Sequence, residues 1–307
     1  MSLERYLREI AAEDKPLRFG ALVALSSLSR QELKQFARTW GGLSAERQRG
    51  LLGCLVEMAE ENVELDFDSI FLMCLESSDA EVREKAIFGL WEYEDRSLIV
   101  TLLGTLVADS SPRVRSAAAG ALGKFSLLAE EGKLLPREGQ KIREALIRVL
   151  RNDEECIEVR RRALEAVAPF NTHVVQQFIR RCYESDELNL RCSSLYAMGR
   201  TGEPRWLRHL IKELKSDSPA LRFEAANACE ELGDEGAAPH LVPLLDDDDL
   251  QVQVAAIQAL AEIGGAVASR ALRRCARSED PAVREVALEA LENLEGIEDP
   301  VAFHYQL

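Results

Sequence analysis

Aromatic residues and long hydrophobic runs are scarce in this sequence of 307 residues, and basic residues are outnumbered by acidic ones. Lys and Arg number 38 against 53 Asp and Glu, a formal net charge of −15, which excludes wrapping of nucleic acid over the whole surface. No run of about 18 uncharged apolar residues occurs, so we predict no transmembrane helix. The N-terminal residues carry charges throughout and lack the apolar core of a signal peptide, which predicts a cytoplasmic protein.

Residues with catalytic or metal-binding chemistry are also few and dispersed. The seven cysteines are an odd number, and none stands in Cys-x-x-Cys spacing, which favours reduced, mostly buried thiols over disulfides or a zinc site. Of the histidines His173, His209, His240 and His304, none is followed by Glu. No phosphate-binding glycine loop, nucleophile elbow or His-Glu-x-x-His helix occurs. We therefore predict no metal, no cofactor and no enzymatic activity.

One short pattern recurs along the chain instead. It consists of an Asp or a Ser-Pro turn, an aliphatic residue, an Arg, and then small and aliphatic residues at helical spacing. The Arg, replaced once by Gln, recurs every 31 residues at Arg160, Arg191, Arg222, Gln253 and Arg284. Earlier copies centre on Arg83 and Arg115, and degenerate copies lie near Arg18 and Arg47. A period of this length over so many copies predicts a repeat protein.

Each copy reads as a pair of helices. Aliphatic or small residues one before the Arg and three, four and seven after it form one apolar stripe, and an upstream apolar segment predicts a first helix. The Asp or Ser of the turn is expected to cap the second helix, where Pro is tolerated in the first turn. Small residues six positions after the Arg, such as Gly89 and Ala228, leave room for a neighbouring helix.

This pattern resembles HEAT repeats, specifically the bacterial subtype described as phycobilisome-lyase-like, over about residues 70–295. The resemblance implies an all-α fold, a right-handed α-α superhelix (solenoid) of about eight to nine helix pairs, with the second helices on its concave side. It also implies that the repeated Arg pairs with the turn Asp of its own or the adjacent repeat. HEAT-like deoxyhypusine hydroxylases hold two irons with several His-Glu dipeptides, and this sequence has none.

We predict a single solenoid over residues 1–307. Residues 1–65 are interpreted as degenerate N-terminal repeats, and residues 66–295 as regular repeats. The spacing from Arg115 to Arg160 indicates an insertion near residues 125–140, which is expected to lengthen a connection between repeats. Residues 296–307 are interpreted as a C-terminal cap or tail.

A partner-binding surface is predicted on the concave side. Positions one, two and five after the Arg should face solvent on the second helices, and aromatic residues there, with Trp91 nearby, are typical of interface hot spots. The alternative is that these aromatics pack between neighbouring repeats. The predicted surface consists of Phe88, Trp91, Arg161, Arg162, Tyr196, Phe223 and Asn227. The function predicted is a non-catalytic scaffold or adaptor for an unidentified protein partner, with no membrane and no nucleic acid involved.

Two alternative functions stay open. The first is a phycobilin lyase-like enzyme that holds a linear tetrapyrrole, as the repeat subtype implies. The second is nucleic acid binding through residues 141–215, which hold 15 Lys and Arg against 11 acids.

The last part of the chain is acidic. Residues 216–307 hold 6 Lys and Arg against 19 Asp and Glu. This part is either a solvated face or a docking surface for a basic protein segment.

Overall fold

A computed structural model describes the backbone of residues 3–298 and the side chains of residues 3–294. Within these residues the chain forms eighteen α-helices and no strand, which confirms the predicted all-α fold. The helices are α1 (Leu3–Ala11), α2 (Phe19–Val23), α3 (Arg30–Trp40), α4 (Ala45–Glu61), α5 (Asp68–Cys74), α6 (Ala80–Gly89), α7 (Ser97–Ala108), α8 (Pro112–Glu130), α9 (Pro136–Arg151), α10 (Ile157–Val167), α11 (His173–Tyr183), α12 (Leu188–Arg200), α13 (Leu207–Glu213), α14 (Pro219–Leu232), α15 (Ala238–Leu241), α16 (Leu250–Ile263), α17 (Gly265–Cys275) and α18 (Pro281–Glu298).

The chain divides into two compact units, Met1–Ala166 and Val167–Leu307. In the first unit α4, α6 and α8 pack side by side in chain order, while α5 packs on α6 and α7 on α8. In the second unit α12, α14, α16 and α18 pack in succession, and α11, α13 and α17 each pack on the second helix that follows. Each unit is therefore a stack of helix pairs, as the 31-residue period predicts. The predicted tail over residues 296–307 lies outside the described residues, apart from the end of α18.

The repeated Arg forms a hydrogen bond to the loop that precedes its own helix. Its Nη1 donates to the carbonyl six residues earlier, at 2.8 Å from Arg83 to Ser77 and at 2.8 Å from Arg222 to Ser216. The amide Nε2 of Gln253 makes the equivalent bond to the carbonyl of Asp247. This explains why glutamine is accepted at one copy of the repeat.

The other edge of the guanidinium joins consecutive repeats. Nε and Nη2 of Arg83 each lie 2.8 Å from a carboxylate oxygen of Asp109, and Arg222 holds Asp247 in the same way at 2.7 Å. Arg160 instead pairs with an acid of its own repeat, at 3.2 Å from Asp153. The implied pairing with a turn Asp is therefore confirmed for Arg83, Arg222 and Arg160. Arg115 and Arg191 differ, since their partners are glutamates, Glu155 and Glu213.

The degenerate first copies differ from the prediction. Arg18 is exposed at the start of α2 and forms no ion pair among the described residues. In the second copy the ion pair comes from Arg49, 2.6 Å from Asp79, whereas Arg47 donates to backbone carbonyls such as that of Ile10. The register of the pattern therefore shifts by two residues in this copy.

The ion pairs between repeats predict sensitivity to acid. Hydrogen bonds from Arg83 and Arg222 hold the pKa of Asp109 and of Asp247 below their usual range. The folded state thus binds fewer protons than the unfolded state, so the stabilisation is fully present above about pH 5 and is lost as the pH falls from about 4 through the lowered pKa of the folded state. We expect the free energy of unfolding, measured with urea, to fall between pH 5 and pH 3. The double variant Asp109→Asn with Asp247→Asn should show a shallower fall, and equal slopes would contradict the assignment.

Capping of the second helices is only partly as predicted. Asp79 accepts from the amides of Glu81 (3.0 Å) and Val82 (3.1 Å), and Asp249 caps α16 in the same way. The serines before α8 and α14, Ser111 and Ser218, make no side-chain cap. In those two helices Pro follows directly, and its fixed φ starts the helix without a cap bond.

The insertion near residues 125–140 was predicted as a lengthened connection, and this prediction is wrong. Helix α8 continues to Glu130 and α9 begins at Pro136, so most of the segment is helical. Phe125, Leu128 and Leu134 are buried, and burial of these side chains holds the extra turns in place. Gly132, at φ 73°, provides the left-handed residue that ends α8.

Candidate functional site

A groove of 1230 Å³ runs along the second helices α6, α8 and α10 of the first unit. Its floor is built from small residues of α8, including Ala117, Gly120 and Ala121. Phe88 and Trp91 form one wall, at the end of α6 and in the loop after it. The groove is open because small side chains follow one another on this face of α8.

Two aromatic side chains are exposed at the groove. Phe88 is 51% and Trp91 53% exposed, whereas the other tryptophans, Trp40 and Trp206, are 8% and 0% exposed. Removal of side chains of this size from water by a partner makes a favourable contribution to the binding free energy. Contiguous exposed aromatic area beside a groove is typical of a binding surface.

Lys124 of α8 holds the loop that carries Trp91. Its Nζ donates to the carbonyls of Leu90 (3.4 Å), Trp91 (2.7 Å) and Tyr93 (2.7 Å), so one ammonium group fixes the whole turn after α6. Burial lowers the pKa of Lys124. Sequence reasoning missed this residue, although a single lysine within the small and apolar residues of α8 was a visible signal.

The charges along the groove are largely paired within the protein. Arg113 lies 2.6 Å from Glu84, and Arg162 lies 2.9 Å from Glu165. Glu92 and Glu94, which also line the groove, are exposed and make no ion pair within 4.0 Å among the described residues. The groove therefore presents two carboxylates without a direct ion pair beside its aromatic wall, and both interact electrostatically with the ammonium of Lys124.

The structure brings together only some of the predicted partner-binding residues. Phe88, Trp91 and Arg162 line the groove, whereas Arg161 lies outside it and pairs with Glu158 at 2.9 Å. The remaining three belong to the second unit: Tyr196 on α12 is 40% exposed, and Phe223 and Asn227 on α14 are half-buried. The predicted set is thus split between the two units.

The positions predicted to face solvent differ in exposure: position two after the Arg is buried at Ala117, Ser193 and Ala255, and position one is buried at Ser116. Ser116 and Ser193, one and two positions after their Arg, are 8% and 2% exposed. The hydroxyl of Ser116 donates to the carbonyl of Glu158 (3.4 Å), so this position faces the next second helix. Position five is the more open one, since Phe88 and Gly120 are both exposed there.

Neither a metal site nor a membrane-spanning helix is found in the part of the chain that the structure describes. The ring of His209 lies between Tyr183 and Trp206, with centroid distances of 5.5 and 5.4 Å, and His304 lies outside the described residues. Burial lowers the pKa of His209, and the nearby Arg208 adds to the shift. Burial also raises the pKa of the Cys74 and Cys229 thiols to about 12.

Comparison with known proteins agrees with the repeat architecture. The sequence profile of HEAT repeats matches residues 69–136 and 207–292, together half of the chain. The chain belongs to the HEAT repeat family. No curated protein matches this HEAT repeat chain at a significant level.

Three solved structures illustrate the similarity of this HEAT repeat protein to others. The complex of CpcE and CpcF of phycocyanin lyase from Nostoc sp. PCC7120 aligns with a TM-score of 0.53 at 15% identity, over 92% of this chain and 97% of that one. Yeast importin-beta (Kap95p) gives 0.52 at 13% identity, over 95% of this chain and 46% of that one. Human deoxyhypusine hydroxylase gives 0.37 at 19% identity, over 95% and 96%. At such identities the likeness to the first two structures shows the fold alone.

Proposed function

We propose that this protein is a non-catalytic scaffold or adaptor of the cytoplasm that binds a protein partner through the groove on α6, α8 and α10. The groove with its exposed Phe88 and Trp91 carries the proposal. HEAT repeats generally serve protein interaction, because a stack of helix pairs offers a preformed surface that loses little entropy on binding.

Trp91 is expected to contribute most to the binding free energy. It is large, about half exposed and held in place by a loop that Lys124 fixes, so little conformational entropy is lost when a partner covers it. The small side chains around Gly120 leave space beside Trp91 for the side chains of a partner. A Cβ atom at Gly120 would meet only the Cδ of Arg162, at 4.0 Å, so a larger side chain there fills the groove and not the core.

The test is an affinity capture from nuclease-treated lysate of the native host, with the bound proteins identified by mass spectrometry. Trp91→Ala should weaken binding of a stoichiometric partner by about 30-fold or more. Gly120→Phe should abolish capture, whereas Gly104→Phe, on the exposed face of α7 where a Cβ meets nothing within 4 Å, should retain it. Capture unchanged by both groove variants would contradict the proposal.

A tetrapyrrole-handling enzyme is the second candidate, because the cavity of 1230 Å³ with aromatic walls also suits a large flat ligand. Charge argues against it. A linear tetrapyrrole carries carboxylates, and the cations of the groove are engaged, Arg113 with Glu84, Arg162 with Glu165 and Lys124 with carbonyls. A visible absorption band in the purified protein or in the captured material would favour this candidate.

Nucleic acid binding through residues 141–215 has less support. The basic run within this segment is neutralised locally: Arg160 pairs with Asp153, and Arg161 with Glu158. Phosphate binding requires cations that are available to exchange counterions. Retention on a phosphate matrix that falls steeply with salt would be the sign of this alternative.

A further inference from the structure

The electrostatics of the groove specify what kind of partner segment it takes. Two charged pairs cancel along its sides, Arg113 with Glu84 and Arg162 with Glu165, and the ammonium of Lys124 is used by three backbone carbonyls. These carbonyls do not cancel the charge of Lys124, which interacts electrostatically with Glu94 and Glu92. The loop after α6 holds Glu92, Glu94 and Asp95 against one Arg96, so it stays negatively charged even with Lys124 beside it.

That loop is acidic next to its tryptophan. Glu92 and Glu94 are exposed without an ion pair, and the adjacent Asp95 is exposed and accepts from the amide of Ser97 at 2.8 Å. Arg96 donates to the carbonyl of Lys133 at 2.6 Å, which turns its cation towards the connection between α8 and α9. An apolar wall and a row of carboxylates thus lie side by side at the groove.

We infer that the groove binds a partner segment in which large apolar side chains are flanked by Lys or Arg. The apolar side chains pack between Phe88, Trp91 and the small residues near Gly120, and the flanking cations face Glu92 and Glu94. Covering these carboxylates with a neutral or acidic segment would desolvate them without a counter-charge. A second copy of this chain is a poor occupant, because each copy carries a net charge of −15.

This inference rests on the proposed function and names the chemistry of the partner. It is tested by selecting random 16-residue peptides from a display library on the full chain and removing those that also bind the Gly120→Phe variant. We expect the remaining peptides to combine large apolar residues with an excess of Lys and Arg. Groove-dependent peptides of neutral or acidic composition would overturn the inference and leave the interaction role standing. An absence of groove-dependent peptides would overturn the inference as well, while capture of a native partner would still test the role itself.

The charge contribution is then measured with the tightest peptide, using the fluorescence of the exposed Trp91. Glu92→Gln with Glu94→Gln should weaken binding about five- to ten-fold at low salt, and 0.5 M salt should reduce that difference. The matched control is Glu60→Gln with Glu61→Gln, two exposed acids at the end of α4 outside the groove, which should leave binding within about two-fold. Equal effects of the two double variants would overturn the inference, since they would reflect net charge and not the groove.

Discussion

Replacing Arg222 with alanine should lower the free energy of unfolding by about 3 kcal/mol. Asp247, held by two bonds of 2.7 Å, keeps a side chain only 9% exposed and would lose its counter-charge. The carbonyl of Ser216 would lose its donor at the same time. Urea unfolding at pH 7 measures the effect.

Two further variants separate the parts of this interaction. Arg222→Gln should cost less than the alanine variant, because Gln253 already shows that glutamine bonds to the carbonyl six residues earlier. Arg208→Ala on α13 removes an exposed arginine that has no acid partner among the described residues, and it should change stability by less than about 0.5 kcal/mol. A cost below about 1 kcal/mol for Arg222→Ala would show that the pair does not hold consecutive repeats together.

Replacing Gly199 with alanine should destabilise the second unit by about 2–3 kcal/mol. A Cβ atom at Gly199 of α12 would lie 2.9 Å from the Cα and 3.0 Å from the carbonyl oxygen of Ala228 in α14. These are backbone atoms, which cannot relieve the overlap by a change of rotamer, so the two helices would have to move apart. Thermal and urea unfolding measure the loss.

Replacing Gly104 with alanine should change the free energy of unfolding in the opposite direction. That glycine stands in the exposed interior of α7 with nothing within 4 Å of a new Cβ, so alanine should stabilise the protein by about 0.5–1 kcal/mol through helix propensity alone. If both variants shift stability in the same direction, the close approach of α12 and α14 is not what demands glycine at Gly199.

The close approach of second helices follows a register within the repeat. Gly199 stands eight positions after Arg191 and meets Ala228, which stands six after Arg222. In the first unit, the position eight after Arg115, Gly123, likewise faces Ala166 of the next second helix, with its Cβ position 3.4 Å from the Cα. The sequence predicted room at position six, and the structure adds that position eight of the preceding repeat supplies the other half of the contact.

The groove was predictable only in part. Phe88 and Trp91 stood out in the sequence because large aromatics occupied places expected to be exposed. Lys124 donates hydrogen bonds to carbonyls more than 30 residues earlier in the chain, and a local sequence pattern does not predict contacts over such a separation. Arg161 stays a predicted partner-binding residue outside the groove, and it pairs with Glu158, three residues earlier on the same helix.

The helical pairs, the repeat period and the structural role of the arginine could be predicted from the amino-acid pattern, because each depends on neighbours within one repeat or the next and so recurs with the period. Which helix faces stay exposed could not be predicted in this way. Small residues of α8, the aromatic end of α6 and the pairing of nearby charges meet in one groove only once the helices are packed. A periodic pattern constrains the buried contacts that every repeat shares, whereas a binding surface arises from residues in which the repeats differ.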